Sequence, residues 1–129
     1  MSNKRPVNQL RETRGRKSYE AGLRAENLAT LFMMLKFYRI LGRRVKTRSG
    51  EIDLIARRGR MLVFVEVKAS AGFDRAIEAL GPHQRDRLAR AASLYVASRP
   101  ALQHLDIRFD MVLVARGYLP RHVVDAWRP

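Results

Sequence analysis

Residues 61–67 read MLVFVEV, an almost unbroken apolar run rich in β-branched and aromatic side chains. A strand with one wet face alternates apolar and polar residues, so a run without alternation belongs at the centre of a sheet covered on both faces. Helices must then lie on both sides. The preceding run, residues 51–58, is also β-rich, and only Gly59 and Arg60 separate the two. A two-residue loop with glycine first suits a type II′ turn, which makes the runs an antiparallel hairpin with Arg58 facing Met61.

The rest of the chain supplies the covering. From Ser18, a candidate N-cap, Leu28, Leu31, Phe32 and Leu35 form an apolar stripe of helical period that runs to Lys36. Beside it lies a second row, Gly22, Glu26, Ala29 and Met33, whose small members let another element approach Glu26 closely. A short strand follows over residues 37–45, then a turn at 46–50. Beyond the hairpin comes a loop at 70–81. Pro82 opens a helix reaching Arg99, with Leu88, Ala91, Ala92 and Tyr95 as its buried stripe and Arg87 and Arg90 turned away. Residues 105–115 and 122–127 read as two further strands. The order is α, β, β, β, α, β, β, an α/β fold with a mixed central sheet flanked by helices. One domain is expected over residues 18–129. Residues 1–17 set Lys4, Arg5, Arg11, Arg14, Arg16 and Lys17 against Glu12 alone, without usable periodicity, and are expected to form a disordered basic arm.

Composition narrows the function. The chain has no cysteine and three scattered histidines, which excludes disulfide scaffolds, thiolate zinc sites and cysteine nucleophiles and leaves oxygen as the ligand for any metal. No apolar run approaches the roughly 20 residues that span a bilayer, and the charged start lacks the core of a signal peptide, so a cytoplasmic protein without a membrane partner is expected. Lysine and arginine number 26 against 12 acids, a net charge of +14, and arginine dominates. Its planar fork suits phosphate, and the expected partner is nucleic acid, DNA before structured RNA.

The hairpin register carries the chemistry. Counting outward from Arg58 and Met61 sets Asp53 opposite Glu66 and Glu51 opposite Lys68, with the Asp53 and Glu66 carboxylates about 5 Å apart at Cβ. Like charges so opposed need a neutraliser, and a divalent cation, Mg²⁺ or Mn²⁺, is the simplest. Lys68, two residues on, would orient a water and stabilise charge developing on a phosphodiester. The competing reading is a solvated strand face with cross-strand ion pairs, and Glu51 is read as the partner of Lys68. Arg43, Arg44, Lys46 and Arg48, with Arg57, Arg58 and Arg60 at the hairpin tip, are candidate phosphate contacts. His83, His104 and His122 share no spacing and receive no role. Tyr95 and Trp127 are read as core, and Asp110 as a structural acceptor.

Several blocks together, Gly22, Ala25 and Glu26, then residues 50–56 (GEIDLIA), residues 63–68 (VFVEVK) and Arg108-Phe109-Asp110, make the chain resemble the YraN family. That family is bacterial and belongs to the PD-(D/E)XK endonuclease-like superfamily, with similarity to archaeal Holliday junction resolvases. The resemblance covers residues 18–127 and implies a three-layer restriction-endonuclease-like core. It also implies a metal bound by Asp53, Glu66, the Val67 carbonyl and Glu26, with Asp53, Glu66, Lys68 and Glu26 as the catalytic set. The activity so implied is metal-dependent hydrolysis of DNA phosphodiesters on branched or structured DNA, with a homodimer where two strands are cut. The alternative is a non-catalytic nucleic-acid-binding module, for DNA or structured RNA, that keeps the nuclease fold.

Overall fold

The computed structural model describes the backbone of residues 4–69 and 80–129 and the side chains of residues 20–69 and 80–129. Its elements are α1 (Lys4–Leu35), β1 (Arg39–Thr47), β2 (Gly50–Arg58), β3 (Met61–Ala69), α2 (Pro82–Ala97), a 3-10 turn (Pro100–Leu102), β4 (Asp106–Val114) and β5 (Arg121–Trp127). The strands form one sheet in the order β1-β2-β3-β4-β5. Only β3 and β4 run parallel. The element order is the expected one, and the mixed sheet with a helix on each face is an α/β core consistent with a restriction-endonuclease-like fold.

β3 is central, as its composition requires. Leu62 and Phe64 pack with Ile52, Ile55, Phe109, Met111 and Trp127 against Leu88, Ala91, Ala92 and Tyr95 of α2. Val63 and Val65 pack with Leu54, Ala56 and Val112 against Ala29 and Met33 of α1. The buried stripe of α2 is the one its periodicity names, and Tyr95 and Trp127 close the core. At the hairpin tip Arg58 faces Met61, and Gly59 has the positive φ of 61° that the turn demands.

Two expectations about α1 are corrected. The helix begins at Lys4, so Ser18 is interior and not a cap; residues 4–17 are rich in helix-forming Arg, Lys, Glu and Gln. The arm's side chains and the loop of residues 70–79 lie outside the described residues. The buried face of α1 is also the other one. Leu28, Leu31 and Leu35 are 48, 54 and 70% exposed, whereas Ala25, Ala29 and Met33 are buried. The sheet lies close to the helix, and close approach selects the row with small side chains over the row with large ones.

Candidate metal centre

The site begins where the β2–β3 ladder ends. Pairing runs from Arg58 and Met61 to Leu54 and Val65 and stops there. Beyond it the Val67 N–H donates to Asp53 Oδ2 at 2.9 Å, so a side chain takes the bond a strand carbonyl would otherwise accept. β2 loses its alternation at the same residue: Ile52 joins the α2 side of the core, but Leu54, two positions on, joins the α1 side. On β1 the partners of Leu54 and Ile52 are Arg43 and Val45. Arg44 lies between them with φ 51°, a left-handed value that breaks the pleat.

Four acids from three elements meet at this break. Asp53 and Glu66 hydrogen-bond to one another, as the hairpin register predicts. Glu26, Glu51 and Asp53 each bring a carboxylate oxygen within 4.8 Å of the others. Gly22 and Ala25, one turn or less from Glu26 on α1, line the same cavity of about 340 Å³ with Glu26, Arg44, Asp53, Glu66, Val67 and Ala69. The small-residue row of α1 thus carries Glu26 into the site.

Burial governs the electrostatics. It pushes the Glu66 carboxyl up to about 8, with the neighbouring Asp53 charge as the second cause and Lys68 opposing. Burial also raises Asp53 above the ordinary carboxylate range, against the bond from Val67 N–H. Glu26 is raised by burial, against the pull of Arg44. Burial and the Asp53 charge therefore favour the protonated form of Glu66, the form that can donate to Asp53. Such a site holds more carboxylate than its surroundings stabilise, and it offers only hard oxygen donors. That donor set fits Mg²⁺ or Mn²⁺. Glu26, Glu51 and Asp53, whose oxygens are already gathered, would hold the cation, with Glu66, bonded to Asp53, beside them and Val67 on the cavity lining.

The cations are arranged differently from the sequence expectation. Lys68 Nζ lies 3.6 Å from Glu66 Oε1, and Lys68 is not the partner of Glu51. Arg44 takes that place, its Nε 3.8 Å from Glu51 Oε1 and 3.1 Å from Glu26 Oε2, because the left-handed residue turns inward. Arg43, which bonds the Asn27 side chain of α1, is exposed near the site. Lys46, opposite Glu51 in register, and Arg48 are exposed too, but they line a groove with Leu94 and Tyr95 of α2 on the other side of the sheet. Arg57, Arg58 and Arg60 are not brought to it: the tip is five residues from Asp53, about 16 Å along an extended strand. Arg58 donates to the Lys36 carbonyl at 3.2 Å and stacks 4.3 Å over the Tyr38 ring.

Sequence reasoning missed three features. Arg44 is a partner of the acids, which no periodicity reveals. Arg87, read as turned away, lies against the turn: a Cβ at Gly50 would stand 3.5 Å from its guanidinium. His122, given no role, is buried between Lys36 and Asp110. Lys36 Nζ donates to Nδ1 at 2.6 Å, which leaves the ring proton on Nε2 for Asp110 Oδ2, also at 2.6 Å. Asp110 further accepts from Arg108 and from the Asp125 N–H, which makes it the structural acceptor expected. These bonds hold its carboxyl below the ordinary range although burial opposes them.

A sheet of this topology with acids gathered at a strand break defines an α/β protein with a restriction-endonuclease-like core and an acidic centre. Residues 25–114 match the family described as "Uncharacterised protein family UPF0102". The chain is 53% identical over 115 residues to the UPF0102 protein of Parvibaculum lavamentivorans, covering 89% of this chain and 86% of that one. It is 50% identical over 118 residues to a UPF0102 protein of Maricaulis maris, covering 91 and 93%. To the UPF0102 protein of Caulobacter vibrioides it is 47% identical over 118 residues, covering 92 and 94%. The chain belongs to the UPF0102 family, also called YraN, as its motifs imply. Among the described residues no helix is long and apolar enough to cross a membrane.

Proposed function

We propose that this protein is a divalent-metal-dependent nuclease that hydrolyses DNA phosphodiesters in the cytoplasm and prefers branched or otherwise structured DNA. The observation that carries this reading is the gathering of Glu26, Glu51 and Asp53 oxygens within 4.8 Å of one another, beside a cavity that Glu26, Asp53 and Glu66 line, with Lys68 3.6 Å from Glu66, in a chain whose net charge is +14. A basic body attracts the polyanion, and a local acidic pocket attracts the cation that phosphate chemistry needs.

When bound, Mg²⁺ or Mn²⁺ supplies Lewis-acid charge to a phosphoryl oxygen and lowers the pKa of a water. The carboxylates of Glu26, Glu51 and Asp53 would hold it, joined by Glu66 once that carboxyl gives up its proton. Lys68, about a third exposed with its ammonium 3.6 Å from Glu66 Oε1, orients a water and offsets charge building on the phosphate. Arg43 grips the backbone alongside, and Lys46 and Arg48 extend the basic surface toward α2. The acids and the cations beside them address the phosphate backbone and not base edges, so recognition at the centre follows backbone shape. Among the described residues one chain has one such centre, so two symmetric cuts require a homodimer.

Cleavage of a four-way junction and a linear duplex of matched sequence, each with Mg²⁺ or chelator, tests the reading. Metal-dependent cutting that favours the junction and disappears in Asp53→Asn, while DNA affinity holds or rises, is the expected result. Retained cutting in Asp53→Asn would refute the site. Binding without any cutting, or preference for structured RNA in competition, would favour a non-catalytic module.

A further inference from the structure

The acidic centre already has a cation of its own. Arg44 is a strand residue with φ 51°, a backbone state that arginine rarely adopts, and the distortion turns its side chain toward the acids while Arg43 and Lys46 on either side stay exposed. Its Nε lies 3.1 Å from Glu26 Oε2 and 3.8 Å from Glu51 Oε1. Those are two of the three carboxylates whose oxygens lie within 4.8 Å of one another, and Arg44 lines the same cavity. The contacts are ion pairs, and a guanidinium and a divalent cation cannot both sit against these oxygens at close range, since their charges repel each other.

We propose that Arg44 is the internal counter-ion of the metal centre: it holds Glu26 and Glu51 while no cation is bound and releases them when one enters. This inference rests on the metal-centre reading above. Arg44 is then a positioning residue with two consequences. It keeps the acids gathered in the metal-free protein, so that the centre is shaped before the cation arrives. It also sets a threshold, because the entering charge must outcompete a bound guanidinium. Its release frees a planar fork of donors beside the site, suited to a phosphate oxygen pair. Occupancy of the centre and grip on the substrate are thereby linked through one side chain.

The test is titration of the metal-free, full-length protein with Mn²⁺ alone, followed by calorimetry. Arg44→Gln should tighten Mn²⁺ binding about tenfold, equivalent to about 1.4 kcal/mol. Arg44→Lys, which keeps the charge, should stay near wild type. Arg24→Gln, which removes one exposed positive charge from α1 two residues before Glu26, should shift the affinity less than about twofold. In wild type, the Arg44 Nε–H resonance should move on titration with diamagnetic Mg²⁺ and follow the calorimetric isotherm, a readout that needs no variant. Arg44→Gln within twofold of wild type, or an Arg24→Gln shift equal to that of Arg44→Gln, or an Nε–H resonance that ignores Mg²⁺, would overturn the counter-ion role alone. No Mn²⁺ binding by wild type would overturn the metal centre itself, and this inference with it.

Discussion

Glu66→Gln separates the structural from the functional demand on the acidic centre. In the folded, metal-free chain Glu66 is 7% exposed and burial beside Asp53 pushes its carboxyl up to about 8, against an ordinary value of 4.5. Between those values the folded protein keeps a proton that the unfolded chain has released. Stability therefore falls as pH rises through this window, by at most about 1.4 kcal/mol per pH unit for one proton, and it levels off above pH 8. Glutamine has nearly the same shape and does not titrate. Asp53 shares the proton and Lys68 offsets part of the charge, so a relative gain of about 2 kcal/mol for the variant between about pH 5 and pH 8 is expected. At about 4 °C per kcal/mol for a chain of this size, the Tm difference should grow by about 8 °C. Thermal unfolding followed by circular dichroism in chelator, at several pH values, measures it. Adding Mg²⁺ near pH 8 should then raise the wild-type Tm and leave Glu66→Gln unmoved. A Tm difference independent of pH, or a variant less stable than wild type at pH 8, would refute the account of a buried carboxyl held protonated.

Two further outcomes follow from the packing. Asp110→Ala strands Arg108 and His122 without their shared acceptor and should cost about 3–5 kcal/mol in urea denaturation, with Asp110→Asn intermediate; a loss under about 1 kcal/mol would mean the network is solvated. Ala29→Leu forces α1 away from β3 where no space exists, so it should destabilise by about 2 kcal/mol and weaken Mn²⁺ binding as Glu26 withdraws. Unchanged Mn²⁺ affinity in a folded Ala29→Leu protein would disconnect Glu26 from the centre.

Local patterns determined much of this protein before any coordinates. The MLVFVEV run placed β3 at the centre, and the Gly59-Arg60 loop set the register that joins Asp53 to Glu66, because loop length and strand period are properties of consecutive residues. The α2 stripe was legible for the same reason, being the chain's helical period written in Leu88, Ala91, Ala92 and Tyr95. Tertiary structure decided what depends on distance between elements. Hydrophobicity favoured Leu28, Leu31 and Leu35 for the buried face of α1, but the closeness of the sheet selected Ala25, Ala29 and Met33, and with them Glu26. The left-handed Arg44 changed which cation faces Glu51, since a single backbone reversal flips a side chain without leaving a periodic trace. His122 and Asp110 meet only because β5 pairs with β4, a contact between residues twelve positions apart. A sequence writes its periods locally, whereas charge pairing is settled by which surfaces come within a few ångströms, and only the packed sheet and helices fix those distances.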